Sequence, residues 1–220
     1  MHDRLYCAEI VLTLQYLHDH GVIHRSIRPE SILLSSGGHV RMIAFDYAKR
    51  IKDRTFTLCG APDYIAPEII QGTGYGRGAD WWAFWIMMYE LLVGYPPFFA
   101  KTPFEVYQKI LEANVSFGIV KLGHSEQLIR RLLKLNRKKR LGCGASGAEA
   151  VKNDAFFSAN DGVDWSAVYE QQVVPPFVPE LSGDADTRYF DLQPYDLFEM
   201  DASTDLTGEA RQLWSKIPDS

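Results

Sequence analysis

Apolar residues Leu5, Ile10, Leu12, Leu14 and Leu17 recur at helix-like spacing until Gly21, which predicts an amino-terminal helix followed by a loop containing Pro29. The pattern then changes period. Two short β-rich pieces, Ser31 to Ser35 and His39 to Ile43, flank Ser36-Gly37-Gly38 and predict a hairpin. Residues Lys49 to Pro67 follow neither period and read as a loop. Helical patterns return near Asp80 to Val93, Pro103 to Ala113, Ser125 to Leu135 and Ala145 to Phe157. From about Asp161 the composition shifts to Pro, Asp and scattered aromatics, as in Pro175-Pro176, Ser182-Gly183 and Asp184-Ala185-Asp186. That stretch is expected to lie extended on the body, with little core of its own. The predicted fold class is mainly α with a small β-hairpin region.

Composition narrows the function classes. A chain of 220 residues with 46% apolar side chains is long enough for one substantial core. Its net charge of -5 gives no general reason to expect nucleic acid or an anionic membrane as partner. The longest apolar run, Trp81 to Val93, is too short to span a bilayer and carries Glu90, so it predicts a buried helix and no membrane span. Cys7, Cys59 and Cys143 lie far apart and leave one unpaired, which fits a reducing compartment. Met1-His2-Asp3-Arg4 is polar and no cleavage-site pattern follows, so no secretory signal is expected. The expected location is cytoplasmic, with the nucleus also open.

Candidate chemistry is concentrated in His24-Arg25-Ser26-Ile27-Arg28-Pro29-Glu30-Ser31. Further along come Thr57-Leu58-Cys59-Gly60-Ala61-Pro62-Asp63-Tyr64-Ile65-Ala66-Pro67-Glu68, then Asp80-Trp81-Trp82-Ala83, Gly94-Tyr95-Pro96-Pro97-Phe98 and Arg140. In this order the motifs resemble the catalytic loop, the activation segment with its Ala-Pro-Glu end, and the following buried helix of the protein-kinase superfamily. With the tail Asp186-Thr187-Arg188-Tyr189-Phe190-Asp191, the wording is similar to the AGC group, in the branch of the cyclic-AMP-dependent kinases. The resemblance covers nearly the whole chain and weakens after about Gln193. It implies a kinase carboxy-terminal lobe over residues 1–157, truncated before the amino-terminal lobe, and an AGC-type tail over residues 158–220.

The resemblance also marks departures. In such kinases an Asp stands where this chain has Ser26 and accepts the substrate hydroxyl's proton, and an Asn stands where it has Ser31 and holds magnesium. A second metal ligand, the first Asp of Asp-Phe-Gly, is replaced in Ala44-Phe45-Asp46, and Ala61 replaces a hydroxyl residue that faces the catalytic loop. Arg28 is a further altered position in the loop. A serine is a very poor base near neutral pH, and general-base catalysis is worth about 10²–10⁴-fold. Loss of the metal ligands removes several kcal/mol more of charge stabilisation. On an extended backbone Asp46 would point to the same side as Ala44, but about 6–7 Å further along, so it is expected to be solvated or helix-capping rather than a substitute metal ligand. No cofactor is expected for this chain, ATP and magnesium being implied by the resemblance alone. His24 is expected to be a packed structural histidine.

Other positions implied by the resemblance concern scaffold and docking. Arg25 and Lys49 stand where related kinases gather positive charge around a phosphorylated threonine, here Thr57. Glu68 with Arg140 forms a buried structural pair, and Asp80 anchors the catalytic-loop backbone. Glu30, Asp63 and Glu90 match carboxylates that receive substrate arginines, and Leu58, Pro62 and Ile65 match an apolar pocket beside them. The cluster Arg130, Arg131, Lys134, Arg137, Lys138, Lys139 and Arg140 reads as a solvated structural face rather than a nuclear-targeting or nucleic-acid site. Gly142-Cys143-Gly144-Ala145-Ser146-Gly147 follows no strand and reads as a plain loop. The expected function is that of a catalytically defective kinase-like protein that binds basic pseudosubstrate segments or a regulatory subunit. The alternatives are a fragment of an ATP-dependent serine/threonine kinase and a non-functional remnant.

Overall fold

The structure, a computed structural model, describes residues 2–115, 123–159, 162–183 and 185–190. Among them the helix-rich body and its small antiparallel sheets agree with the predicted class. Helix α1, His2–Asp19, buries Leu5, Ala8, Val11 and Leu14, with Cys7 and Ile10 widening the stripe, and ends before Gly21 at φ +70°. Helix α2, Pro67–Ile70, is one turn long. Helix α3, Gly78–Val93, is buried continuously from Ala79 to Tyr89 and closes on Gly94 at φ +94°, whose N–H donates to Glu90 O at 2.7 Å. Burial of each large side chain here is worth about 1.5–3 kcal/mol, and rings are locked in pairs such as Trp82 on Phe98, stacked at 6.0 Å. This is the buried helix predicted from the apolar run. Among the described residues no helix is long and apolar enough to cross a membrane.

Four short strands frame the loops. Strand β1 is Val22–Ile23, β2 is Ile32–Leu34, β3 is Val40–Met42 and β4 is Lys49–Arg50. The hairpin β2–β3 forms where it was expected, pairing Leu33 with Arg41 and Leu34 with Val40. Gly38, at φ +82°, permits a close crossing, because a Cβ there would lie 2.4 Å from the Phe177 carbonyl oxygen. Glu9 ties α1 to the same hairpin, accepting from Val40 N at 2.7 Å and meeting His39 Nδ1 at 2.6 Å. Strand β4 was not anticipated. It pairs antiparallel with β1, Val22 opposite Arg50, and so draws the start of the expected Lys49–Pro67 loop into a sheet.

The remaining helices are α4, Pro103–Glu112; α5, His124–Leu132; α6, Gly147–Lys152; α7, Ala155–Ser158; and α8, Trp165–Tyr169. Thr102 and Glu105 form a capping box at the start of α4. The single helix expected over Ala145 to Phe157 is two. The chain breaks at Asn153 and restarts at Asp154, whose buried carboxylate accepts from Phe156 N at 3.1 Å and pairs with Arg131. The stretch after Asp161 is likewise not all extended: Asp164 caps Ser166 N and Ala167 N, and α8 buries Val168 and brings Trp165 to 5.2 Å from Phe157.

Two compact units divide the chain, residues 1–179 and 180–220. In the described part of the second, Asp186 gathers Ser182 N at 2.7 Å, Ser182 Oγ at 2.8 Å and Arg188 N at 3.0 Å into one turn. Phe190 lies within it, whereas Asp191 and the residues after Gln193 lie outside the described residues.

Behind the loops, the fully buried Arg140 donates to Glu68 through both terminal nitrogens, at 2.6 and 2.8 Å, and to the carbonyls of Gly78 and Lys134. The guanidinium also lies 5.0 Å from the Trp82 ring. Removing one member of such a pair strands a charge in the interior. Glu68→Gln is expected to lower unfolding free energy in urea by about 3–5 kcal/mol, with much of the loss recovered in Glu68→Leu/Arg140→Met.

Candidate functional site

Asp80, three residues into α3 and fully buried, organises the loop that carries the candidate chemistry. Its carboxylate accepts from His24 N at 2.9 Å, Arg25 N at 2.8 Å and the ring Nε2 of His18 at 2.8 Å. These bonds hold Arg25 in the left-handed region at φ +69°, a conformation that costs an ordinary side chain about 1–3 kcal/mol. His24 is buried between Phe45, 4.7 Å away edge to face, and its own loop. Its Nε2 lies 2.9 Å from Ile43 O and its Nδ1 lies 3.3 Å from Ser26 N. A ring that donates from Nε2 to the carbonyl and accepts at Nδ1 from the amide has no nitrogen left to activate a Ser26 hydroxyl.

The position expected to have lost a metal ligand has taken a structural task. Ser31, fully buried, donates its hydroxyl to Arg28 O at 2.7 Å and accepts from Arg28 N at 3.0 Å, closing the turn Pro29–Ser31. Ala44 sits at φ +60° and Phe45–Tyr47 forms a 3-10 turn. The extended backbone assumed for Asp46 is therefore absent: the turn leaves Asp46 exposed rather than alongside Ala44. An apolar methyl at Ala44, a serine hydroxyl engaged by its own turn and an exposed aspartate do not make the oxygen-ligand set that magnesium requires. Among the described residues no group of three His, Cys, Asp or Glu side chains is placed to hold a metal.

Positive charge meets the following segment through Tyr75. Arg25 donates Nε to Tyr47 O at 2.5 Å and Nη1 to the Tyr75 hydroxyl at 3.3 Å, which in turn donates to Thr57 O at 2.6 Å. Burial, with Cys59 3.5 Å away, pushes that hydroxyl up to about 12. Lys49 donates to Thr55 Oγ1 at 3.1 Å, and Thr55 pairs backbone to backbone with Tyr75. Thr57 has an exposed side chain. Neither Tyr75 nor His18 carries a local pattern that singles it out in sequence.

Tyr64 gathers the acidic residues. Its hydroxyl donates to Glu90, and burial together with Glu90, Glu30 and Asp63 raises it far above its ordinary range. Glu30 is exposed, while Asp63 and Glu90 are half-buried. Asp63 Oδ1 is buried with no hydrogen-bond partner, and that burial pushes its carboxyl up. Of the three apolar residues expected beside them, Leu58 is exposed, Pro62 is half-buried and Ile65 is buried. Ile65 lines a small cavity of about 10 Å³ together with Arg25–Arg28, Cys59–Ala61 and Tyr64. It has room for about one water.

The protein kinase domain family matches residues 2–157, and the chain belongs to that family. It is 44% identical over 189 residues to the human cAMP-dependent protein kinase catalytic subunit PRKX, covering 86% of this chain and 52% of that protein. It is 42% identical to the Dictyostelium discoideum cAMP-dependent protein kinase catalytic subunit, covering 90% of this chain and 30% of that one. For the Drosophila melanogaster catalytic subunit 3 the figures are 42%, 87% and 32%. The chain thus spans about half the length of these relatives or less. Its kinship is with the AGC kinases of cyclic-AMP-dependent type.

Burial lowers the proton affinity of His24, an effect partly opposed by Ile43 O and by Asp80. The unfolded chain therefore binds this proton at a higher pH than the folded chain does, and stability rises with pH across the interval below about 6.5. Unfolding free energy in urea is expected to fall between pH 7.5 and 5.5, and His24→Gln is expected to flatten that fall.

Proposed function

We propose that this chain is a kinase carboxy-terminal lobe, over residues 1–157, with an AGC-type tail over 158–220, and that it binds arginine-rich segments without transferring phosphate to them. One observation carries the proposal: Glu30, Asp63 and Glu90 lie around Tyr64 beside a loop whose reacting positions are Ser26, Ser31 and Ala44. Carboxylates recognise guanidinium groups through charge-assisted hydrogen bonds, each worth about 1.5–3 kcal/mol. Kinship with cAMP-dependent catalytic subunits supports a regulatory subunit, or a basic pseudosubstrate segment, as the partner class. Thr57, exposed and joined to Arg25 through Tyr75, is the proposed phosphorylation site on this surface.

The docking test is a titration of the full chain with a fluorescent arginine-rich peptide. Glu30→Arg, at an exposed position, is expected to weaken binding at least tenfold, the equivalent of about 1.4 kcal/mol. Equal binding by the variant, or none by either chain, would remove the docking proposal. Incubation with magnesium, ATP and the same peptide tests the alternative of an active kinase fragment. No transfer is expected, and turnover abolished by Asp46→Ala would overturn the inactive reading.

A further inference from the structure

The fold divides the basic cluster between Arg130 and Arg140. Arg140 is withdrawn to the interior with Glu68, while Arg130 meets Glu126 and Arg131 meets Asp154. Arg137, half-buried, donates Nη1 to Gly74 O at 2.9 Å. Lys134, Lys138 and Lys139 are exposed, and among the described residues their ammonium groups have no ion-pair or hydrogen-bond partner. Like charges gathered in one place repel until an anion answers them. The backbone that carries them is nevertheless firmly held. Arg140 Nε donates to Lys134 O at 3.1 Å, Asn136 Oδ1 accepts from Lys138 N at 3.0 Å, and Lys139 N donates to Asn136 O at 2.9 Å, which fixes the turn Arg137–Lys139. Between the lysines Leu135 is 41% exposed, although Leu132 and Leu133 just before it are buried. A rigid segment thus presents three unanswered cations around one uncovered apolar side chain.

We propose that the segment Lys134–Lys139 docks a short acidic protein segment that carries an apolar residue, its carboxylates meeting the three lysines and its apolar side chain covering Leu135. The surface shares no residue with Glu30, Asp63 and Glu90, and its occupancy does not depend on arginine docking there. Exposed ion pairs are individually weak, so selective binding requires several of them together with the burial of Leu135. The chain as a whole carries a net charge of -5, which makes this segment a local reversal of sign. Along the chain acidic groups bound it, Glu126 in the first turn of α5 and the exposed Glu149 in α6. A short segment stays within those bounds, whereas an anionic bilayer surface extends past them. Residues 130–140 contain no aromatic side chain on which a nucleic-acid base could stack. Charge complementarity and the exposed leucine therefore favour an acidic peptide over either polyanion.

The test is fluorescence anisotropy of the full chain with a labelled peptide that places one leucine between two pairs of glutamates, beside the same peptide with serine in place of leucine. The leucine peptide is expected to bind at least about threefold more tightly than the serine form, and its affinity to fall at least about fivefold when salt is raised from about 50 to about 300 mM. Lys138→Glu/Lys139→Glu should weaken binding at least about tenfold, and Lys134→Glu, on the other side of Leu135, at least about threefold. Leu135→Ser should remove the preference for leucine and leave the serine peptide within about twofold. Matched melting curves establish that each variant is folded. Equal affinity for the two peptides, affinity unchanged by charge reversal, or no binding by either peptide overturns the proposal. Tighter binding to a single-stranded oligonucleotide, or to vesicles of phosphatidylserine and phosphatidylcholine, than to the leucine peptide overturns it as well.

Discussion

A single buried carboxylate fixes the geometry on which the candidate site depends. Asp80 occupies the first turn of α3, where the helix dipole favours negative charge, and it spends its two oxygens on His24 N, Arg25 N and His18 Nε2. It thereby links α1, the loop and the most deeply buried helix through one group. A carboxylate removed from water is tolerated only when its acceptor sites are filled. The same requirement forces the loop backbone to approach α3, setting the left-handed turn at Arg25 and aiming that guanidinium at Tyr47 and Tyr75.

This separation of framework from chemistry explains how the loop keeps its shape with altered residues. Ser31 satisfies the turn at Arg28 from both sides, and His24 fills its place through packing and two hydrogen bonds. None of these interactions uses a metal, a base or a phosphate. Glu68 and Arg140 brace the start of α3, through the Gly78 carbonyl and the Trp82 ring. Ser31 is thus itself part of what holds the loop, while Asp80 fixes the loop backbone from α3.

Much of this was legible in the sequence where the signal is local. The hairpin was readable because two β-rich segments flank a Gly-Gly turn, and α3 because thirteen successive positions from Trp81 are almost all apolar. The β1–β4 pairing was not, since two-residue strands 27 positions apart have no periodicity of their own. The break before Asp154 was hidden in a helix-compatible run, because the carboxylate's partner, Arg131, comes from α5. The solvated Asp46 agrees with the expectation, but the turn that exposes it was not legible, because nothing in Ala44 announces a left-handed backbone, which alanine rarely adopts. For the site, motif order located the loop, the carboxylates and the buried pair by resemblance. The roles of Tyr75, Tyr64 and His18 required the chain to be folded, because each joins segments distant in sequence.

The crossing at Gly38 has a consequence for the order in which the protein can be assembled. The Phe177 carbonyl that lies over Gly38 also accepts a hydrogen bond from the Tyr6 hydroxyl at 3.4 Å, closing a loop of 171 positions. Contacts this distant along a chain form late, after the entropy of closing the loop has been met. During synthesis, α1 and the hairpin emerge well before Phe177, so this contact is made only after about 140 further residues separate Gly38 from its partner. Closure between Tyr6, Gly38 and Phe177 thus spans nearly the full length of the unit from residue 1 to residue 179, and a chain ending before residue 177 lacks it.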